Sequence, residues 1–135
     1  MADFPFQYAA KFLCTSNIPG TSQTTTSLLP GNYQTVVNIH NPNSTTIRFR
    51  MKLALASLES PQISEFLTSG LKPDQAGKVD CSDVQKFGLH LIHGFEGFLV
   101  IESTHSLDVV AVYTAGTKEG VTTMDVERIF ERYLT

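Results

Sequence analysis

Apolar and polar residues alternate along this chain with a period of two more often than with the period of a helix. The clearest run is 46–56. There Ile47, Phe49, Met51, Leu53 and Leu55 alternate with Arg48, Arg50, Lys52, Ala54 and Ala56. Only an extended backbone puts the first set on one face, so the segment reads as a strand with one buried side. Residues 33–40 behave alike, with Tyr33, Thr35, Val37 and Ile39 on one face and Gln34, Val36, Asn38 and His40 on the other. The β-branched residues there favour a pleated strand. Asn41-Pro42-Asn43-Ser44 is a turn signal, so the two runs are expected to form an antiparallel hairpin.

Weaker patterns fill in the rest. Residues 8–14 give a first strand, with Tyr8, Ala10, Phe12 and Cys14 on one face. Residues 15–32 are rich in Thr and Ser, contain Pro19-Gly20 and Pro30-Gly31, and read as a long loop of the kind that is functional or mobile. Residues 58–70 fit a short helical turn or a strand, 71–77 a turn, and 78–81 an extended segment. Residues 82–87 then read as one helical turn capped by Asp80 or Ser82.

Segments 97–103 and 107–114 are apolar on both faces and are expected to be central strands, joined as a hairpin through Thr104-His105-Ser106. Val100, Ile101, Val109, Val110 and Val112 are then core. Residues 121–126 read as a last strand with Met124 and Val126 inward, followed by a helical turn after Ile129. The crossover helix that a parallel sheet needs is missing. The expected fold is therefore all-β: a single antiparallel β-sandwich, immunoglobulin-like or jelly-roll-like, of about seven strands over residues 1–135. A closed barrel is the alternative.

The segments Pro30-Gly31-Asn32-Tyr33, Asn38-Ile39-His40-Asn41-Pro42, Leu71-Lys72-Pro73 with Val79-Asp80-Cys81, Leu107 to Ala115, and Met124-Asp125-Val126-Glu127 together resemble a group of small uncharacterised bacterial proteins. The resemblance spans residues 8 to 130 and implies no activity. The layout also looks like that of immunoglobulin-like adhesion or assembly modules. More distantly, it is similar to the small tetrameric β-sandwiches called sensory rhodopsin transducers.

Composition narrows the classes. Hydrophobic residues make up 41% of the 135 and charged residues 17%, too apolar for a disordered chain. A net charge of −3 is not the field of a general nucleic-acid binder. Trp is absent, which excludes a sugar site or aromatic cage built on it. Cys14 and Cys81 allow one bridge or two buried thiols, the thiols being the commoner case. The first residues, Met-Ala-Asp-Phe-Pro-Phe, show no signal peptide, and no apolar run reaches bilayer length. A cytoplasmic location is the default expectation, with export without a signal left open. Asn43-Ser44-Thr45 is a glycosylation sequon only in a eukaryotic secretory setting.

Candidate chemistry is sparse. Arg48, Arg50 and Lys52 on one strand face could take an anionic or protein partner, or simply face water. His40, His90, His93, His105, Cys14 and Cys81 are zinc-ligand types, but no Cys-x-x-Cys pair occurs among them. Asp74, Asp80 and Asp83 flank one turn at the wrong spacing for calcium. Ser103, Thr104 and His105 are neighbours in sequence, which makes no triad. Gly94-x-x-Gly97 lacks the Lys-Ser/Thr of a phosphate loop.

These features lead to a non-catalytic protein, with no cofactor and no metal, that acts by self-association or as an assembly module. Phe4, Phe6, Phe130, Tyr133 and Leu134 are apolar groups available near the ends, beside expected edge strands 8–14 and 121–126. The alternative is a module for small molecules or glycans, with Tyr33, His40, Tyr113 and the 15–32 loop at one end of the sandwich.

Overall fold

The computed structural model describes residues 3–17, 27–89 and 94–134. Among them are ten strands: β1 (Phe6–Asn17), β2 (Gly31–His40), β3 (Ile47–Leu55), β4 (Gln62–Ile63), β5 (Leu67–Leu71), β6 (Ala76–Val79), β7 (Phe95–Ser103), β8 (Asp108–Thr117), β9 (Gly120–Arg128) and β10 (Arg132–Tyr133). A 3₁₀ helix, Cys81–Phe87, separates β6 from β7. The alternating segments therefore are strands, and the chain is all-β and antiparallel.

The strands form one hydrogen-bonded open sheet in the order β4-β3-β7-β1-β2-β8-β9, with β5 beside β3, β6 beside β2 and β10 beside β1. That replaces the expectation of about seven strands, and the open ends replace the closed barrel. Both expected hairpins are also corrected. β3 pairs with β7, β4 and β5, not with β2. β7 and β8 are not partners, because β1 and β3 flank β7 while β2 and β9 flank β8. Local turn chemistry suggested neighbours, but pairing followed which faces could share a core.

The sheet divides between β1 and β2. These strands pair only over Cys14–Asn17 and Gly31–Gln34. Further along, β1 turns its free edge to β10 and β2 turns its own to β6. Tyr8, Ala10 and Phe12 of β1 then meet Val37, Ile39, Val109 and Ala111 of the β2–β8 half in one apolar cluster. The Tyr8 hydroxyl crosses the gap, 2.6 Å from the Leu107 amide whose proton it accepts. β1 is thus internal, not the expected edge. Val100, Ile101 and Val109 are buried as expected, but Val110 and Val112 are only half-buried, since they alternate with the core-facing Val109 and Ala111.

The expected helical turn at 82–87 is present and starts one residue earlier. The Asp80 side chain accepts from the Ser82 amide, and the Asp80 amide donates to Asp83 Oδ2, so the cap is reciprocal. Hydrogen bonds from Ser82 and Lys78 lower the Asp80 carboxyl to about 2. Cys81 at the helix start is bonded to Cys14 of β1, with Cα atoms 5.5 Å apart. The two buried thiols expected from composition are therefore a disulfide. Spacing in sequence could not show this, because 67 residues separate the pair. The helical turn expected after Ile129 is absent. Arg132 and Tyr133 instead extend the sheet against Gln7 and Phe6.

Candidate association surface

The core sets the register of β2 and β8, and the register fixes what their other face presents. With Val37, Ile39, Val109 and Ala111 inward, alternation turns Gln34, Val36, Asn38, Val110, Val112 and Thr114 away from the core. β9 extends the same face. Met124 pairs with Thr114, Val126 with Val112 and Arg128 with Val110. The result is a grid three strands wide: Gln34-Thr114-Met124, then Val36-Val112-Val126, then Asn38-Val110-Arg128. Arg128 is the charge within these three strands, its guanidinium 5.3 Å from the Phe130 ring, and Lys78 beside Asn38 and the His40–Asp108 pair border the face.

A bulge adds a further apolar residue. The register steps from Ala115–Thr123 to Gly116–Val121, so Thr122 is the extra residue and Val121 returns to the face of Met124. Gly116 permits this close turn, since a Cβ there would stand 2.1 Å from the Gly120 carbonyl oxygen. Val121, Met124 and Val126 are 68%, 63% and 57% exposed. The inward orientation expected for Met124 and Val126 is thus reversed. Thr123, Asp125 and Glu127 take the opposite face, where Glu127 accepts the Tyr113 hydroxyl proton at 2.7 Å. Burial, and then Glu127, raise the Tyr113 phenol above its ordinary value. All of β9 is exposed, with its polar residues on the core-side face of the sheet and its apolar ones on the outward face.

The outward face of the other half is covered by its own chain. Arg50 and Glu102 are direct cross-strand partners, and Arg50 donates to Glu102 Oε1 from Nε at 3.0 Å and Nη2 at 2.8 Å. Glu102 is buried and also accepts from Gln7 at 2.8 Å, and Gln7 in turn accepts from Arg132 at 2.6 Å. The Phe4 and Phe66 rings lie 4.6 and 4.0 Å from the Arg50 guanidinium. Arg48 lies over Phe4 at 5.5 Å, and Lys52 over Phe66 at 4.7 Å. The basic row thus holds aromatic rings against the sheet, and Arg50 already has an internal anion. Of the terminal apolar groups, Phe4 is covered in this way and Phe6 packs on Tyr133 with ring centres 5.1 Å apart. Phe130 and Tyr133 stay largely exposed, and Leu134 is half-buried.

The Tyr33, His40 and Tyr113 set is not brought together. The Tyr33 hydroxyl donates to the Leu29 carbonyl. His40 sits at the far end of β2 opposite Asp108, and Tyr113 faces Glu127. A cleft of about 940 Å³ lies instead at the Tyr33 end, walled by the disulfide, Phe95, Val84, Gln85, Gln34 and Thr114 among others. Gln34, Thr114 and Val121 belong to both this cleft and the apolar face. No sequence motif announced it, because its walls come from five distant segments.

Among the described residues the zinc-ligand types form no cluster. Cys14 and Cys81 are bonded to each other, His105 is exposed beside Thr104, and His90 and His93 lie outside the described residues. Asp80 and Asp83 cap the 3₁₀ helix, while Asp74 turns to His40. The Ser103 hydroxyl donates to the His105 carbonyl and does not meet the imidazole. Among the described residues no helix is long and apolar enough to cross a membrane.

No family model matches the chain, and no curated protein does. A solved structure, the crystal structure of Thermotoga maritima 1070, superposes with a TM-score of 0.58 over 96% of each chain, at 11% identity. At that identity the likeness shows the fold alone.

Proposed function

We propose that this chain is a non-catalytic assembly module that associates with copies of itself through the outward face of β2, β8 and β9. The observation that carries the reading is the Val36-Val112-Val126 row, flanked by Val110, Met124 and Val121, on the face that its own core does not use. The chain lays Phe4 and Phe66 over the basic row of its other half, whereas Val121, Met124 and Val126 on this side are exposed. Burying one such side chain fully is worth about 1.5–3 kcal/mol, so a partner surface has much to gain. The apolar Val36-Val112-Val126 row suits a second copy, because a twofold axis can set the same row against itself. The face lies at an edge of the sheet, where β9 has one neighbour.

Light scattering tests this. The expected mass is a multiple of 14.9 kDa. Val126→Asp, at an exposed position, should return the protein to one chain without unfolding it. A wild-type monomer at high micromolar concentration would overturn the reading.

The cleft favours a second reading, a module for a small uncharged ligand. Gln34, Gln85 and Thr114 supply amide and hydroxyl groups to its lining, Phe95 an aromatic ring, and Lys118 the charged group there. A thermal-shift screen with neutral sugars checks it, since a ligand that binds the native state raises the midpoint. The Cys14–Cys81 bridge supports folding in an oxidising compartment over the cytoplasmic default.

A further inference from the structure

We infer that His40 is a pH-sensitive clasp: as an imidazolium it holds the turn between β5 and β6 against the start of β8, and on losing its proton it lets that turn go. The geometry carries this. His40 Nδ1 lies 2.9 Å from Asp108 Oδ2, and Nε2 lies 2.8 Å from Asp74 Oδ1. A carboxylate only accepts, so both ring nitrogens must donate, and only the cation carries two N–H groups. A neutral ring would leave one carboxylate facing a lone pair.

Three pieces of chain meet at this ring. His40 ends β2, Asp108 begins β8 directly across from it, and Asp74 lies in the turn. Asp74 is held with φ at 64°, the left-handed region that a residue with a Cβ rarely occupies. Its amide donates to the Asn41 carbonyl, and the Asn41 amide donates to the Gln75 carbonyl. β6 follows at once, and Ala76 pairs with His40 itself. Asp74 is the partner that leaves, because its side chain is 90% exposed against 55% for Asp108.

The charged groups facing His40 are Asp108 from β8 and Asp74 from the turn. β6 presents Ala76 opposite the ring, and its Lys78 is paired with Asp80. Arg128 of β9 lies one row further along, opposite Val110. The two carboxylates, Asp108 first, raise the His40 pKa above its ordinary value. The clasp is therefore fully closed below that ordinary value and opens as pH rises through the raised one.

Histidine proton NMR on the intact chain tests this, with amide exchange measured across the same pH range. The His40 midpoint should lie above about 6.5. Asp74→Asn and Asp108→Asn should each move it down, while the resonances of Val37 and Val109 show the core intact. The Asp74 and Gln75 amides should exchange faster above the midpoint than below it. A midpoint at the ordinary value that neither substitution moves would overturn the inference. So would turn amides whose protection ignores the titration. Neither result depends on self-association, which is read separately by mass.

Discussion

At the scale of single residues, the structure turns on polar groups that the apolar pattern does not reveal. Tyr8 is buried between the halves of the sheet and accepts the Leu107 amide proton. Burial raises its phenol above the ordinary value. Tyr8→Phe keeps the ring and removes the acceptor, leaving a buried amide unpaired. Urea unfolding should show a loss of about 1–3 kcal/mol. A change below about 0.5 kcal/mol would mean that the amide finds another partner. Ile101, buried in β7, tests packing alone. Ile101→Ala should cost about 2–5 kcal/mol, the range for a truncated core side chain. Of the candidate site residues, Arg50 was legible as a basic residue on an outward face. Glu102 beneath it was not, because the pair is 52 positions apart and meets only through β3–β7 register.

At the scale of elements, local signals succeeded where local chemistry is sufficient. The 3₁₀ helix was readable because its cap residues lie within four positions of one another. Asp80 is held at about 2, below its ordinary value. Its contribution is therefore complete above the ordinary carboxylate range and is lost as pH falls toward 2. An NMR titration of the Asp80 carboxyl should place its midpoint well below 3.8, and Ser82→Ala should raise it. The disulfide joins that helix to β1 across 67 residues of sequence. In the chain-entropy view a closed loop of this length is worth about 4 kcal/mol. Reduction should therefore lower the thermal midpoint markedly, and a thiol count on unfolded, unreduced protein should give zero. Two thiols would remove the bridge. β9 is legible as a strand but not in its orientation, because alternation defines two faces without choosing which one the core takes.

At the scale of the whole molecule, the exposed face and the termini make different demands. Deleting residues 1–7 would remove Phe6 and Gln7, which pair with β7 and β10 and hold Glu102. Deleting 129–135 would remove the buried Ile129. Both truncations should therefore destabilise the fold, with a lower thermal midpoint than the full chain. They cannot separate association from stability. Substitutions on the outward face can: Val112→Asp and Val126→Asp, taken together, should abolish association while leaving the far-UV spectrum strand-like. Retained association with both charges in place would move the interface elsewhere, with the exposed Phe130 and Tyr133 as the next surface.

The amino-acid pattern alone establishes that the main elements are strands and that a capped helical turn lies near residues 82–87. Each of these depends on residues within a few positions, through backbone periodicity or a local hydrogen bond. Only the meeting of distant segments sets the pairing order, the bridge, the half-buried Arg50 on buried Glu102, the His40 clasp and the side to which β9 turns its valines. A period of two says that a strand has two different faces but does not say which face the core takes. That choice is made when distant strands meet. Here it places an apolar set that reads as interior on the outward face of the sheet.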